Sequence, residues 1–210
     1  MKYSTIYNDP IRRATVFEPW CYWDDVFSND ELNKVIEYCE SKELIHGTTF
    51  GEKSKEEIEK VRISNIGFHN RNPETAWIFD KVNFILQSAN EMFYNFNLNG
   101  YDSFQYTTYD AEKNGNYDWH MDTILGSDLG NSWDTETRKL TMILLLNEPD
   151  VDFKGGEVQI NMGNQDNART LELPRGRIIA FPSFMIHKVK PVVAGVRKSL
   201  VVWIEGPKFI

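Results

Sequence analysis

The sequence predicts a mainly β protein, an antiparallel sandwich or jelly roll with supporting N-terminal α-helices. Three observations predict it. From residue 101 onward, short β-type runs follow one another: 101–109, 116–122, 139–147, 156–161, 170–173, 177–181, 184–190 and 196–204. Turn residues separate these runs, and no helical pattern interrupts them. The two long helical patterns both lie before residue 101, where they can cover one outer face of a sheet.

The first helix has a clear start. Ser28-Asn29-Asp30-Glu31 forms a capping box, with Phe27 and Leu32 placed as a hydrophobic staple. Leu32, Val35, Ile36 and Cys39 then recur at helical spacing to about Ser41. Residues 42–60 are charged and glycine-dotted, the texture of a loop, and residues 61–68 read as a strand. A second helix is expected to begin at Asn72-Pro73 and to end at Asn99-Gly100. Ile78, Val82, Ile85, Ala89, Met92, Phe93 and Phe96 hold its apolar face. Residues 123–137 form a long polar loop, of a length that often serves as a lid or binding loop. The expected organisation is a single domain over 1–210. Residues 1–100 supply helical support and lid segments, and 101–210 supply the β core.

Composition narrows the function. The 210 residues carry 31 acidic and 23 basic side chains, a net charge of −8. That charge, without a clustered Lys/Arg run, argues against nucleic acid as a partner. Two cysteines, Cys21 and Cys39, are too few for a disulfide framework and form no Cys-x-x-Cys zinc motif. The first residues lack the apolar core of a signal peptide, and no apolar run approaches the ~18 residues of a membrane span. A cytoplasmic protein without a membrane partner is the expectation.

Four histidines are available for chemistry: His46, His69, His120 and His187. His120-Met121-Asp122 sets an imidazole and a carboxylate two residues apart, and on a strand both leave the same face. Alone, so short a pair also fits a chance juxtaposition. His187 lies on a later expected strand. As a third ligand it completes a two-histidine, one-carboxylate facial triad, which suits non-haem Fe(II) with open positions. Its alternative is a core histidine bonded to a backbone carbonyl. Ten residues on, alternation puts Arg197, Ser199, Val201 and Trp203 on one face of a strand apolar on both sides. A guanidinium there requires a carboxylate, either an internal Asp or Glu or the far end of a dicarboxylic cosubstrate. Tyr109, Tyr117, Thr141 and Leu145 can line the same pocket or belong to the core. His46 and His69 have no ligand partners nearby in sequence and read as surface or core residues.

Ordered motifs then resemble a known family. They are Tyr109, Tyr117-Asp118-Trp119-His120-Met121-Asp122, Arg138-Lys139-Leu140-Thr141 and Leu146-Asn147-Glu148-Pro149. Next come Phe153-Lys154-Gly155-Gly156-Glu157, Phe181-Pro182-Ser183 and His187-Lys188-Val189-Lys190-Pro191. Gly195-Val196-Arg197-Lys198-Ser199 and Trp203-Ile204-Glu205-Gly206-Pro207 close the series. Together they resemble the 2-oxoglutarate- and Fe(II)-dependent dioxygenases of the prolyl-4-hydroxylase-like branch, and the last segments are especially similar to the PKHD-type hydroxylases. The resemblance covers roughly the C-terminal half. It implies a double-stranded β-helix, Fe(II) and 2-oxoglutarate, with ascorbate as a further candidate cofactor. By position it implies His120, Asp122 and His187 as metal ligands and Arg197 as the anchor of the distal 2-oxoglutarate carboxylate. Tyr109, Ser199 and Thr141 become cosubstrate contacts. One departure stands out: some relatives carry a tyrosine where Leu145 falls, and leucine cannot donate that hydrogen bond. The implied acceptor is a prolyl or other residue in a peptide or protein, or a small molecule, with O2 as oxidant. Two other classes fit the same residues: a non-catalytic jelly-roll binding module, and a metal-dependent hydrolase or isomerase.

Overall fold

A computed structural model describes residues 18–49, 54–123, 136–163 and 165–208. In chain order its elements are β1 (Cys21–Trp23), α1 (Asn29–Glu40), β2 (Ile45–His46), α2 (Lys55–Glu59), β3 (Arg62–Ile63), β4 (Asn65–Asn70) and α3 (Ala76–Ala89). A π-helical turn, Asn90–Tyr94, extends α3. The strands that follow are β5 (Ser103–Asp110), β6 (Asn116–His120), β7 (Glu136–Leu145), β8 (Phe153–Gly155) and β9 (Val158–Ile160). The last are β10 (Arg169–Thr170), β11 (Ile178–Pro182), β12 (His187–Val189) and β13 (Val192–Pro207).

The strands form two antiparallel sheets, the jelly-roll arrangement of a double-stranded β-helix. The larger runs β1-β11-β7-β13-β5-β4-β2, with β8 pairing the start of β13. The smaller runs β10-β9-β12-β6-β3. Strand β13 is central, held between β7 and β5, as its two apolar faces require.

Alternation divides the core into two layers. Leu140, Met142 and Leu144 on β7, and Leu200, Val202 and Ile204 on β13, face α1 and α3. Leu32, Val35 and Cys39 meet them from α1, and Ile78, Val82, Ile85 and Ala89 from α3. The two expected helices therefore do cover one face of the larger sheet. The odd-numbered residues of the same strands, Ile143, Leu145 and Val201 among them, face the smaller sheet with Val158, Ile160 and Val189. The site lies in this second layer.

Four local expectations are corrected. The segment 42–60 is not a plain loop, because β2 and α2 lie in it and Ser54 and Glu57 cap α2 reciprocally. The expected strand at 61–68 is two strands in different sheets: β3 pairs β6, and after Ser64 the chain crosses so that β4 pairs β5. The N-terminal hundred residues thus add strands to both sheets as well as helices. Helix α3 starts at Ala76 rather than at Pro73, because Asn72 Oδ1 accepts from the Glu74 and Thr75 backbone N–H groups and holds a turn first. The π turn that extends it closes at Asn95, whose φ is 51°, four residues before Asn99. Of the 123–137 loop, residues 124–135 lie outside the described residues, while Thr123 and Thr137 join its two ends through their hydroxyls at 2.8 Å. Among the described residues no helix is long and apolar enough to cross a membrane.

His69 is buried against Tyr38 and Phe104, and its Nε2 has no hydrogen-bond partner. Burial first, and then the Lys42 charge, hold its imidazole below the ordinary value. The unfolded chain therefore takes up this proton first. The stability involved is complete above about pH 6.5 and is lost as pH falls below it, at no more than about 1.4 kcal/mol per pH unit. The melting temperature of the wild-type chain is expected to fall more steeply between pH 7 and pH 5 than that of His69→Phe. Parallel slopes would contradict this.

Candidate metal centre

Strand β6 ends at His120, and β12 begins at His187. The two residues are direct partners in the β6–β12 register. That pairing brings imidazoles 67 positions apart in the chain to ring centroids 4.2 Å apart. Asp122 lies just past the end of β6, so strand alternation does not place it. Its backbone N–H donates to the Ser183 carbonyl at 2.9 Å, and the Thr123 N–H donates to the same oxygen at 3.2 Å. The turn is set by the segment that leads into β12, the strand paired with β6.

The result is convergent. One Asp122 oxygen stands 3.5 Å from His120 Nε2 and the other 3.5 Å from His187 Nε2. One ligand atom from each of the three residues lies within 4.8 Å of the others, the spacing of a set able to hold one ion. Asp122 and His187 are buried, and His120 is half-buried.

Tautomers follow from the backbone. His120 Nδ1 lies 2.7 Å from the Asp118 carbonyl, and His187 Nδ1 lies 2.9 Å from the Met185 carbonyl. A carbonyl only accepts, so in each ring Nδ1 carries the hydrogen and Nε2 presents a lone pair to the cluster. The carbonyl-bonded core histidine and the ligand are thus the same arrangement at His187. Burial pushes the His187 imidazole down to about 4. Burial opposes the Asp122 carboxylate, but the imidazoles beside it hold it well below the usual carboxylate range. With each Nδ1 turned to a backbone carbonyl, two Nε2 atoms and one carboxylate form the kind of donor set that a divalent ion requires.

The pocket beside the cluster is lined by Arg62, Gln105, Tyr109, Tyr117, Ile143 and Val189, and by Arg197, Ser199, Val201 and Trp203 on β13. Arg197 is 2% exposed. Its Nη1 donates to Ser199 Oγ at 2.9 Å, and its guanidinium carbon lies 5.7 Å from the Tyr109 ring centroid. Its Nη2 is buried with no partner, and among the described residues no carboxylate forms an ion pair with it. Burial pushes its pKa down to about 10, so it stays charged at neutral pH.

The expected residues divide as follows. His120, Asp122, His187, Arg197, Tyr109 and Ser199 meet in one pocket, with Ser199 holding the guanidinium. Thr141 is directed elsewhere: its hydroxyl donates to Asp122 Oδ2 at 2.8 Å. His46 pairs with Glu59, apart from the cluster. Sequence reasoning missed Arg62, whose guanidinium lies 4.7 Å from the Tyr117 ring centroid, and Gln105. Arg62 sits on a two-residue strand that no periodicity reveals. Gly156, which the sequence shows only as part of the Phe153–Glu157 motif, bears on the same pocket. At φ +70° this residue packs so closely that an added Cβ would lie 2.8 Å from Arg197 Cδ.

Residues 104–205 match the sequence profile of the 2OG-Fe(II) oxygenase superfamily. Over this segment, just under half of its length, the chain is similar to that superfamily. Among curated proteins, the PKHD-type hydroxylase YbiX of Escherichia coli O1:K1 is 31% identical over 95 residues, 45% of this chain and 40% of the relative. YbiX of Shigella dysenteriae serotype 1 matches to the same extent. The match spans about two fifths of the length of these relatives. Among solved structures, a viral collagen prolyl hydroxylase from Paramecium Bursaria Chlorella virus-1, in a 2OG complex, superposes with a TM-score of 0.69 at 17% identity. That alignment covers 92% of this chain and 99% of the other. A Pseudomonas putida prolyl-4-hydroxylase gives a TM-score of 0.67 at 18% identity, covering 90% and 93%. A Trichoplax adhaerens prolyl hydroxylase, in complex with a hypoxia inducible factor peptide fragment, gives 0.68 at 18%, covering 89% and 83%. These likenesses establish that the oxygenase fold is shared.

Gly156→Ala is expected to destabilise the chain by about 1–3 kcal/mol, since it combines left-handed strain with the clash on Arg197. Denaturant unfolding measures this. An unchanged midpoint would show that the close approach is not required.

Proposed function

We propose that this chain is an Fe(II)- and 2-oxoglutarate-dependent hydroxylase. It inserts one oxygen atom of O2 into a C–H bond of a prolyl or other residue in a peptide or protein, while 2-oxoglutarate yields succinate and CO2. One observation carries the reading: a buried guanidinium with no carboxylate partner among the described residues shares a pocket with three converging ligands. A hydrolase or isomerase built on the same triad has no use for that cation. A dicarboxylate has one carboxylate for each end of the pocket.

The residues present fit both groups. His120, Asp122 and His187 would hold the iron, which when bound supplies the oxygen-activating redox chemistry. Arg197 would bind the distal carboxylate of 2-oxoglutarate, with Ser199 fixing the guanidinium and Tyr109 against its face. Burial keeps the Tyr109 hydroxyl protonated at neutral pH, so it is available as a donor. Leu145 offers no hydrogen bond, so the carboxylate relies on Arg197 more heavily than in relatives with a tyrosine there. The apolar walls at Ile143, Val189 and Val201 exclude water from the space between.

An acceptor route leads outward. A neighbouring cavity shares Arg62, Gln105, Tyr117, Asp122 and Trp203 with the pocket and adds Phe68 and Arg138. Beyond it, a cavity of about 430 Å³ also contains Phe68, Arg138 and Trp203 and opens at Asn99, Tyr101 and Glu205. An extended groove of this kind supports a peptide acceptor over a small enclosed metabolite. The peptide complex of the Trichoplax adhaerens neighbour supports the same choice.

Succinate formation with Fe(II) and 2-oxoglutarate, with and without ascorbate, tests the reading across a panel of peptides and free amino acids. Wild-type turnover is expected to depend on both additions and to rise with peptide. His120→Ala should lose at least about a hundredfold in turnover with its circular dichroism unchanged. Arg197→Met should raise the 2-oxoglutarate concentration needed for half-maximal rate by tenfold or more, the loss of a buried charge-assisted pair. Unchanged turnover in His120→Ala would sink the proposal, and stimulation by free amino acids alone would replace the acceptor class.

A further inference from the structure

Thr141 does not point into the cosubstrate pocket. It sits at the centre of β7, fully buried, between the register partners Phe181 on β11 and Trp203 on β13. Its hydroxyl has two neighbours, Asp122 Oδ2 at 2.8 Å and Ser183 Oγ at 2.9 Å. An ionised carboxylate only accepts, so the single Thr141 hydrogen goes to Asp122. Thr141 Oγ1 must then accept from Ser183, whose own hydrogen supplies the bond. The order is fixed: Ser183 donates to Thr141, and Thr141 donates to Asp122.

Ser183 acts on Asp122 a second time. Its carbonyl receives the Asp122 and Thr123 backbone N–H groups, and its own N–H donates to the Lys139 carbonyl on β7. It is also fully buried. One residue therefore clamps the backbone of Asp122 directly and its side chain through Thr141. Four residues later the same segment delivers His187, whose ring meets Phe181 edge-on at 4.8 Å.

We infer that Thr141 and Ser183 are positioning residues for the metal centre, a two-hydroxyl relay that fixes the Asp122 carboxylate. The inference rests on the proposed metal site. Donation to Oδ2 occupies one of its lone pairs and fixes the rotation of the carboxylate, so that a single oxygen is favoured for the ion. Without the donor, the carboxylate can turn and chelate through both oxygens, taking a position that the cosubstrate needs. The device also ties the His-x-Asp arm to the His187 arm, which the chain order alone leaves unconnected.

Manganese(II) serves as the probe, since it binds oxygen and imidazole donors without turnover. Its affinity is measured by calorimetry for wild type, Thr141→Val, Thr141→Ser and Ser183→Ala, each with its melting temperature. Thr141→Val keeps the shape and removes the donor. It should weaken manganese binding by about ten- to hundredfold, the usual cost of losing an outer partner of a metal ligand. Thr141→Ser should restore most of that affinity, and Ser183→Ala should fall between. A purely structural role would lower melting temperatures without the serine rescue, and that result would overturn the relay. Unchanged manganese affinity in Thr141→Val, with weakened 2-oxoglutarate binding at saturating manganese, would overturn it in favour of a direct cosubstrate contact. Failure of the wild-type chain to bind manganese would overturn the metal site itself.

Discussion

A permanent cation buried with no carboxylate partner among the described residues governs this molecule. Arg197 cannot lose its proton at neutral pH, and leaving its Nη2 unpaired in an apolar layer is costly. The fold tolerates the cost because the rest of the side chain is fully supported. Ser199 accepts from Nη1, Tyr109 packs on its face, and Gly156 leaves room for its methylenes. A group held this firmly, yet short of one partner, is prepared for an anion that arrives from outside.

The central strand translates this constraint into a site. Strand β13 has neighbours on both edges, so its alternation is rigid. Arg197, Ser199, Val201 and Trp203 fall in a row that faces the smaller sheet. The same period places Leu200, Val202 and Ile204 under the helices. A slip of one residue would carry the guanidinium into the helical layer and end both the core and the pocket. The metal ligands come from the opposite sheet, where β6 and β12 pair so that His120 faces His187. The two sheets thus contribute different chemistry, a cation from one and imidazoles from the other.

What the sequence revealed follows from how local each feature is. Alternation along residues 196–204 identified a central strand and its pocket face, because a two-residue period is written in the residues themselves. The capping box at Ser28 and Glu31 is equally local, and both of its hydrogen bonds are present. The convergence of His120, Asp122 and His187 was legible only through the resemblance of ordered motifs, since no spacing rule joins residues so far apart. The features that stayed hidden depend on distant partners. Asp122 owes its place to Ser183 rather than to strand geometry. Residues 61–68 change sheets at Ser64, which no hydrophobic pattern records. Thr141 looked like a pocket residue because its face was read correctly, while its partner Asp122 enters from beyond a strand end. Arg62 joined the site through a two-residue strand too short to show a period.

The most direct test of the account is a crystal structure of the chain grown without oxygen in the presence of manganese(II) and 2-oxoglutarate. The account predicts one ion held by His120 Nε2, His187 Nε2 and a single Asp122 oxygen, with the distal carboxylate of 2-oxoglutarate on Arg197 Nη2. An ion bound elsewhere, or a cosubstrate whose carboxylates leave Arg197 unpaired, would contradict it.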